Sequence, residues 1–136
     1  MNRYLLDTNH AGRLLRDDQQ LWARLRTVDN AEFGLCRPSV GELWFMVLNS
    51  AQVDGNRYKL EALLQYFVIW ELDVVAAVEF GQIRVELARQ GRPIPQIDVQ
   101  IAAIARVNDL TLLTSDKHFR NVQNLKMEDW LSPTPR

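Results

Sequence analysis

The 136-residue chain has a single cysteine, Cys36, and only two histidines, His10 and His118. One thiol cannot form an internal disulfide, and one thiol with two imidazoles falls short of the four ligands of a structural zinc site. A reducing, cytoplasmic setting is the expectation that follows. Long apolar runs are missing too. None approaches the roughly 20 residues that span a bilayer, and Met1-Asn2-Arg3 leads straight into a strand-like segment rather than a secretory signal, so no membrane partner is expected. Excess charge of either sign is absent: the net charge is −1. Any nucleic-acid partner must therefore be held by a local basic surface or by bound cations. No linker, repeat or low-complexity stretch breaks the chain, and residues 1–136 are expected to form one domain. What is present is an ordinary globular mixture, 47% hydrophobic and 24% charged, enough to bury a substantial core.

Hydrophobic spacing alternates between two periods. Arg3 to Leu6 reads as a short strand that stops at the polar turn Asp7-Thr8-Asn9; Leu14, Leu15, Leu21, Trp22, Leu25 and Val28 then recur at helical spacing. Phe33 to Arg37 reads as a second strand, and Pro38-Ser39 introduces a helix through Leu43 to Leu48. Val53-Asp54-Gly55-Asn56 reads as a turn, followed by a helix face of Leu60, Leu63, Leu64 and Phe67 and a strand from Val68 to Leu72. Ala77, Gly81, Val85 and Ala88 form a stripe of small residues suited to close helix packing, ending at Gly91. Val99 to Val107 is apolar nearly all round, a buried helix, and Leu110 to Thr114 reads as the last strand. Alternation of this kind predicts an α/β fold: a parallel sheet of four to five strands covered by helices on both faces. Ligands of such folds gather beyond the carboxyl ends of the strands, where strand order reverses.

Four acids stand at places the fold sends to that crevice. Asp7 ends the first strand and Asp116 lies just past the last; Glu42 and Asp98 stand near the starts of helices. Each has a plainer structural reading. Asp7 and Asp116 could cap helices by accepting hydrogen bonds from free backbone amides, Asp98 could be an N-cap or an acid favoured by the helix dipole, and Ser39-Val40-Gly41-Glu42 matches a capping box in which the Glu reaches back to the Ser amide. Placement argues for more. Like charges gathered in a partly buried crevice repel and are costly to desolvate, so they are tolerated chiefly when cations neutralise them. All-oxygen sites suit hard ions such as Mg²⁺ or Mn²⁺, which in nucleases bind a phosphodiester, activate water and steady the departing oxygen. Helix amides at the same crevice would help a phosphate approach.

These residues resemble the PIN domain, and within it the VapC-type ribonuclease toxins of toxin–antitoxin pairs. The resemblance runs through Tyr4-Leu5-Leu6-Asp7-Thr8-Asn9, Ser39-Val40-Gly41-Glu42-Leu43, Gly91 to Ala103 with its Pro95-Gln96-Ile97-Asp98, Leu110 to Phe119 with its Thr114-Ser115-Asp116, and Leu125 to Trp130. It implies a three-layer α/β/α sandwich and an endoribonuclease in which Asp7, Glu42, Asp98 and Asp116 bind Mg²⁺ or Mn²⁺, while Asn9 and Thr114 orient the carboxylates by hydrogen bonding. It further implies an RNA substrate such as tRNA or rRNA, a small DNA-binding antitoxin and a homodimer. Residues 53 to 74 match only in pattern. Arg89, Arg92 and Lys117, nearest the acidic motifs, are candidates to contact RNA phosphates or to be plain solvated surface. His118 reads as structural or solvent-facing. A PIN nuclease of RNA maturation without an antitoxin would share every active-site residue. A receiver-type signalling module also gathers acids around Mg²⁺, but neither Val68 to Leu72 nor Leu110 to Thr114 delivers its acceptor Asp and following Lys.

Overall fold

A computed structural model describes residues 1–131; residues 132–136 of the expected domain lie outside that part. Its strands are β1 (Asn2–Leu6), β2 (Ala31–Cys36), β3 (Val68–Trp70), β4 (Thr111–Leu113) and β5 (Met127–Glu128). Its helices are α1 (Thr8–Leu15), α2 (Gln19–Thr27), α3 (Arg37–Leu48), α4 (Val53–Tyr66), α5 (Val74–Arg89) and α6 (Gln96–Val107), with a short 3-10 turn at Lys117–Asn121. All five strands run parallel in the order β3-β2-β1-β4-β5.

Period-two alternation decides which side each strand residue serves. Leu5 and Leu6, adjacent and both fully buried, enter opposite cores. Leu6 and Leu113 join Leu14, Leu21, Leu43 and Leu60 beneath α1 to α4. Leu5 and Leu112 join Ile83, Leu87 and the buried run Ile101 to Ala105 beneath α5 and α6. Each such Leu contributes about 2 kcal/mol on burial. Two cores on two faces of one sheet make the three-layer α/β/α arrangement that the resemblance implies.

Local chemistry explains where the elements differ from the sequence reading. The run from Leu14 to Val28 forms two helices, not one, because Asp17 adopts a left-handed φ of 63° and the Asp18 side chain caps α2 by accepting from the Leu21 amide at 3.1 Å. Val53-Asp54-Gly55-Asn56 is the first turn of α4 rather than a loop; Asn56 Nδ2 donates to Ser50 Oγ and steadies that start. The Ala77, Gly81, Val85 and Ala88 stripe is exposed. The buried face of α5 is Ala76, Ile83 and Leu87, which enter the core shared with α6 and lie beside that stripe rather than on it. β5, which the sequence reading lacks, pairs with β4 beyond Leu110 to Thr114. At Gly91 the expectation holds: α5 ends there with φ 66°, and the amides of Gly91 and Arg92 return to the carbonyls of Ala88 and Leu87.

Candidate active site

Strand order reverses beside β1, since β2 lies on one side of it and β4 on the other. Register pairs Leu6 with Leu113, so the residues leaving these two strands emerge together. Asp7 is the first of them. It is buried, and it caps α1 by accepting the His10 amide at 2.8 Å. From β4 the chain continues through Thr114 and Ser115 to Asp116, which caps the 3-10 turn by accepting the His118 amide at 2.9 Å. For these two acids, capping and a place in the cleft coexist.

Neither Glu42 nor Asp98 caps a helix among the described residues. α3 starts at Arg37 with Pro38 in its first turn, so Ser39 is already inside the helix. The capping-box reading of Ser39 and Glu42 is thereby corrected: Ser39 is fully buried, its hydroxyl 3.1 Å from Thr8 Oγ1 and 3.2 Å from Cys36 Sγ. Glu42, one turn into α3, is exposed and lines the cleft. Asp98 belongs to the first turn of α6, whose N-cap position is Pro95, so the N-cap reading of Asp98 is corrected, while its alternative, an acid at the positive end of the helix dipole, fits that position.

All four acids line one cleft of about 530 Å³, together with Thr8, Asn9, Ile97 and Ser115. Burial raises the pKa of Asp98, and the charges of Asp116 and Asp7 raise it further, against a lowering influence from His118. The cleft thus resists its own negative charge. His118 is exposed, as expected of a solvent-facing residue, yet its Nδ1 stands 3.2 Å from Asp116 Oδ1 and 3.9 Å from Asp98 Oδ2. Ligand atoms of Asp98, Asp116 and His118 lie within 4.8 Å of one another, close enough to share one cation. A donor set dominated by carboxylate oxygens, one of them held back from ionising by burial and then by its neighbours, fits a hard divalent ion.

The supporting residues fall in different places. Asn9 is exposed in the cleft wall, and its side chain makes no hydrogen bond to a carboxylate among the described residues. Thr114 is buried and accepts the Asp116 amide at 3.0 Å, so it acts on the backbone that carries the acid. Lys117 follows Asp116 on the surface, Arg89 is exposed at the end of α5, and Arg92 reaches Asn121 Oδ1 at 3.3 Å. Sequence reasoning missed His10. Its ring Nδ1 is 3.2 Å from Asp7 Oδ1, and its Nε2 accepts from the Trp130 amide at 3.2 Å. An imidazole three residues after a capping Asp was the available signal; its burial depends on Trp130, far along the chain.

Comparison with known proteins adds an independent line. The family described as PIN domain matches residues 4–125. The chain is 30% identical to Ribonuclease VapC2 of Haemophilus influenzae over 133 residues, covering 96% of this chain and 100% of that protein. It is 29% identical over 131 residues to the tRNA(fMet)-specific endonuclease VapC of Shigella flexneri, covering 96% and 99%. Among solved structures, VapBC2 from Rickettsia felis bound to a promoter DNA fragment superposes with a TM-score of 0.88 at 26% identity, covering 94% of this chain and 98% of that one.

Proposed function

The chain belongs to the PIN-domain family, among its VapC-type ribonucleases, and from that premise we propose that it is a metal-dependent endoribonuclease acting as the toxin of a toxin–antitoxin pair. One observation carries the reading: Asp7, Glu42, Asp98 and Asp116, contributed by four separate segments, meet in a single cleft at the switch point of the sheet.

Hydrolysis of a phosphodiester requires an activated water and a stabilised leaving oxygen. A hard divalent cation, Mg²⁺ or Mn²⁺, supplies both when bound, by Lewis-acid polarisation and by making a bound water more acidic. Asp98 and Asp116, with His118 beside them, stand close enough to share it, and Asp7 and Glu42 would complete the carboxylate set around it. Burial first, and then the charges of Asp116 and Asp7, make Asp98 costly to ionise alone, and a cation there would offset that cost. The first turns of α1 and α6 both border the cleft through Thr8, Asn9, Ile97 and Asp98. Their free amides and positive dipole ends favour an incoming phosphate that the carboxylates alone would repel. Arg89, Arg92 and Lys117 supply positive charge for flanking phosphates, replacing the long-range attraction that a net charge of −1 cannot provide.

The proposed substrate is a structured RNA such as tRNA or rRNA, and the proposed partner is a small DNA-binding antitoxin, as befits a chain similar to the VapC component of VapBC complexes. That likeness weighs against a maturation enzyme working without an antitoxin. A homodimer is supported by the outer face of α5, where Val74, Val75 and Val78 are 81%, 62% and 60% exposed. Among the described residues no helix is long and apolar enough to cross a membrane.

The test is cleavage of a total tRNA and rRNA pool by the purified chain, with product ends sequenced. Cutting is expected with Mg²⁺ or Mn²⁺, to stop in chelator, and to be lost in Asp7→Asn while the fold persists. Cleavage that continues in chelator would refute the metal site; a short reading frame beside the gene whose co-expression relieves growth inhibition would support the toxin role, and the absence of such a frame would count against it.

A further inference from the structure

We propose that His10 is a positioning residue, holding the Asp7 carboxylate in place for a divalent cation through its Nδ1–H while the Trp130 backbone amide locks its ring. The proposal rests on the metal-site reading above and concerns a residue that reading leaves unused.

His10 lies on α1 and is fully buried. A buried imidazole is costly unless both nitrogens are satisfied, and an apolar side chain would suit this position beside Ala11 and Leu14 at lower cost. Both nitrogens are satisfied here. The Trp130 amide can only donate, so Nε2, 3.2 Å from it and 3.9 Å from Asp129 Oδ1, beyond hydrogen-bond reach, is assigned as the unprotonated nitrogen. The ring proton therefore sits on Nδ1, which faces Asp7 Oδ1 at 3.2 Å. The same oxygen already accepts the His10 backbone amide at 2.8 Å. Two donors on Oδ1 fix the rotation of the carboxylate and leave Oδ2 as the oxygen available to a cation.

The lock is itself anchored. Trp130 is buried with its ring 5.0 Å from Tyr4 and 5.9 Å from Phe33, centroid to centroid, and the Arg24 guanidinium lies 4.8 Å over its face. The segment after β5 thus closes a chain of contacts, from the aromatic cluster through Trp130 N–H and the His10 ring to Asp7. In many metal sites a carboxylate orients a ligating histidine. Here the roles are exchanged, with a histidine orienting a ligating carboxylate.

Two substitutions separate positioning from packing. His10→Asn retains a donor close to the place of Nδ1 but loses the acceptor for Trp130; His10→Gln can reach toward the Trp130 amide but presents no donor at the place of Nδ1. Each removes one hydrogen bond, so their melting temperatures in chelator should be close. Mn²⁺ affinity, read from the electron paramagnetic resonance of the free ion, should stay within about threefold of wild type in His10→Asn and fall about tenfold in His10→Gln. Equal affinities in the two variants would overturn the proposal. Failure of the wild-type protein to bind Mn²⁺, with Asp98→Asn as the control, would instead overturn the metal reading. If neither variant folds, ¹H–¹⁵N correlation of the wild-type ring decides: a proton on Nδ1 that shifts on Mg²⁺ addition supports the assignment, and a proton on Nε2 refutes it.

Discussion

Replacing Asp98 by Asn should make the metal-free protein more stable while removing its response to metal. Asp98 and Asp116 offer oxygens within 4.8 Å of each other. Two unit charges at about that spacing repel by about 3.5 kcal/mol at an effective dielectric of about 20. Asp116 is 42% exposed at its side chain, so solvent screens much of this, and the His118 ring offsets more. A net gain of about 1 kcal/mol remains for the neutral isostere, which keeps the volume and opens no cavity; that corresponds to a rise of roughly 4 °C in melting temperature for a chain of this size. The pH dependence follows from the sign of the shift. Because the folded-state pKa of Asp98 is raised, its cost to folding builds as the pH rises from the ordinary carboxylate range to that raised value, is complete above it, and vanishes below the ordinary range, where both states are protonated. The gap between variant and wild type should therefore be full at neutral pH and close in acid. Saturating metal should reverse the ranking: at a free concentration of 100 Kd the wild type gains about 2.7 kcal/mol, and the variant gains little. Differential scanning calorimetry in chelator and in Mg²⁺ reads both effects. An Asp98→Asn protein less stable than wild type in chelator, or one with an undiminished rise in Mg²⁺, would refute the reasoning.

Substitutions at three further positions probe the frame that carries the cleft. At Gly34 a Cβ would stand 2.6 Å from Trp70 Nε1 and 3.0 Å from the Val68 carbonyl oxygen, so Gly34→Ala should cost about 2 kcal/mol, seen as a lower urea midpoint at unchanged slope. Asp18→Ala removes the cap of α2 and should cost about 1 kcal/mol at neutral pH. The Leu21 amide foremost, and Arg13 with it, lower the Asp18 pKa despite partial burial, so its contribution is complete above the ordinary carboxylate range and lost as the pH falls through the folded-state value; the melting temperatures of variant and wild type should converge in acid. Thr114→Val strands the Asp116 amide and should lose about 1 kcal/mol together with severalfold in RNA cleavage. Thr114→Ser, which retains the acceptor, should restore the cleavage rate.

Local chemistry carried in the sequence determined much of this protein. Period-two and helical spacing, the proline and glycine stops, and acids at strand ends suffice to expect a parallel α/β sandwich with Asp7 and Asp116 at one edge. Such features depend only on neighbouring residues and on the backbone conformations those residues allow. What tertiary structure decided depends on residues distant in sequence. Glu42 is a cleft residue rather than half of a capping box because α3 begins before Ser39, whose hydroxyl is occupied by Thr8 and Cys36. Ala77 and Val85 face outward because Ala76, Ile83 and Leu87 are the residues buried in the core shared with α6, a choice between two adjacent faces of one helix that spacing alone leaves balanced. His10 next to Asp7 looks like any polar residue in a first helical turn until Trp130, brought up beside β5, supplies the amide that fixes its ring. The four carboxylates could be named from sequence; how each is held, by a cap, a helix turn or a buried imidazole, is set by contacts that only the folded chain creates.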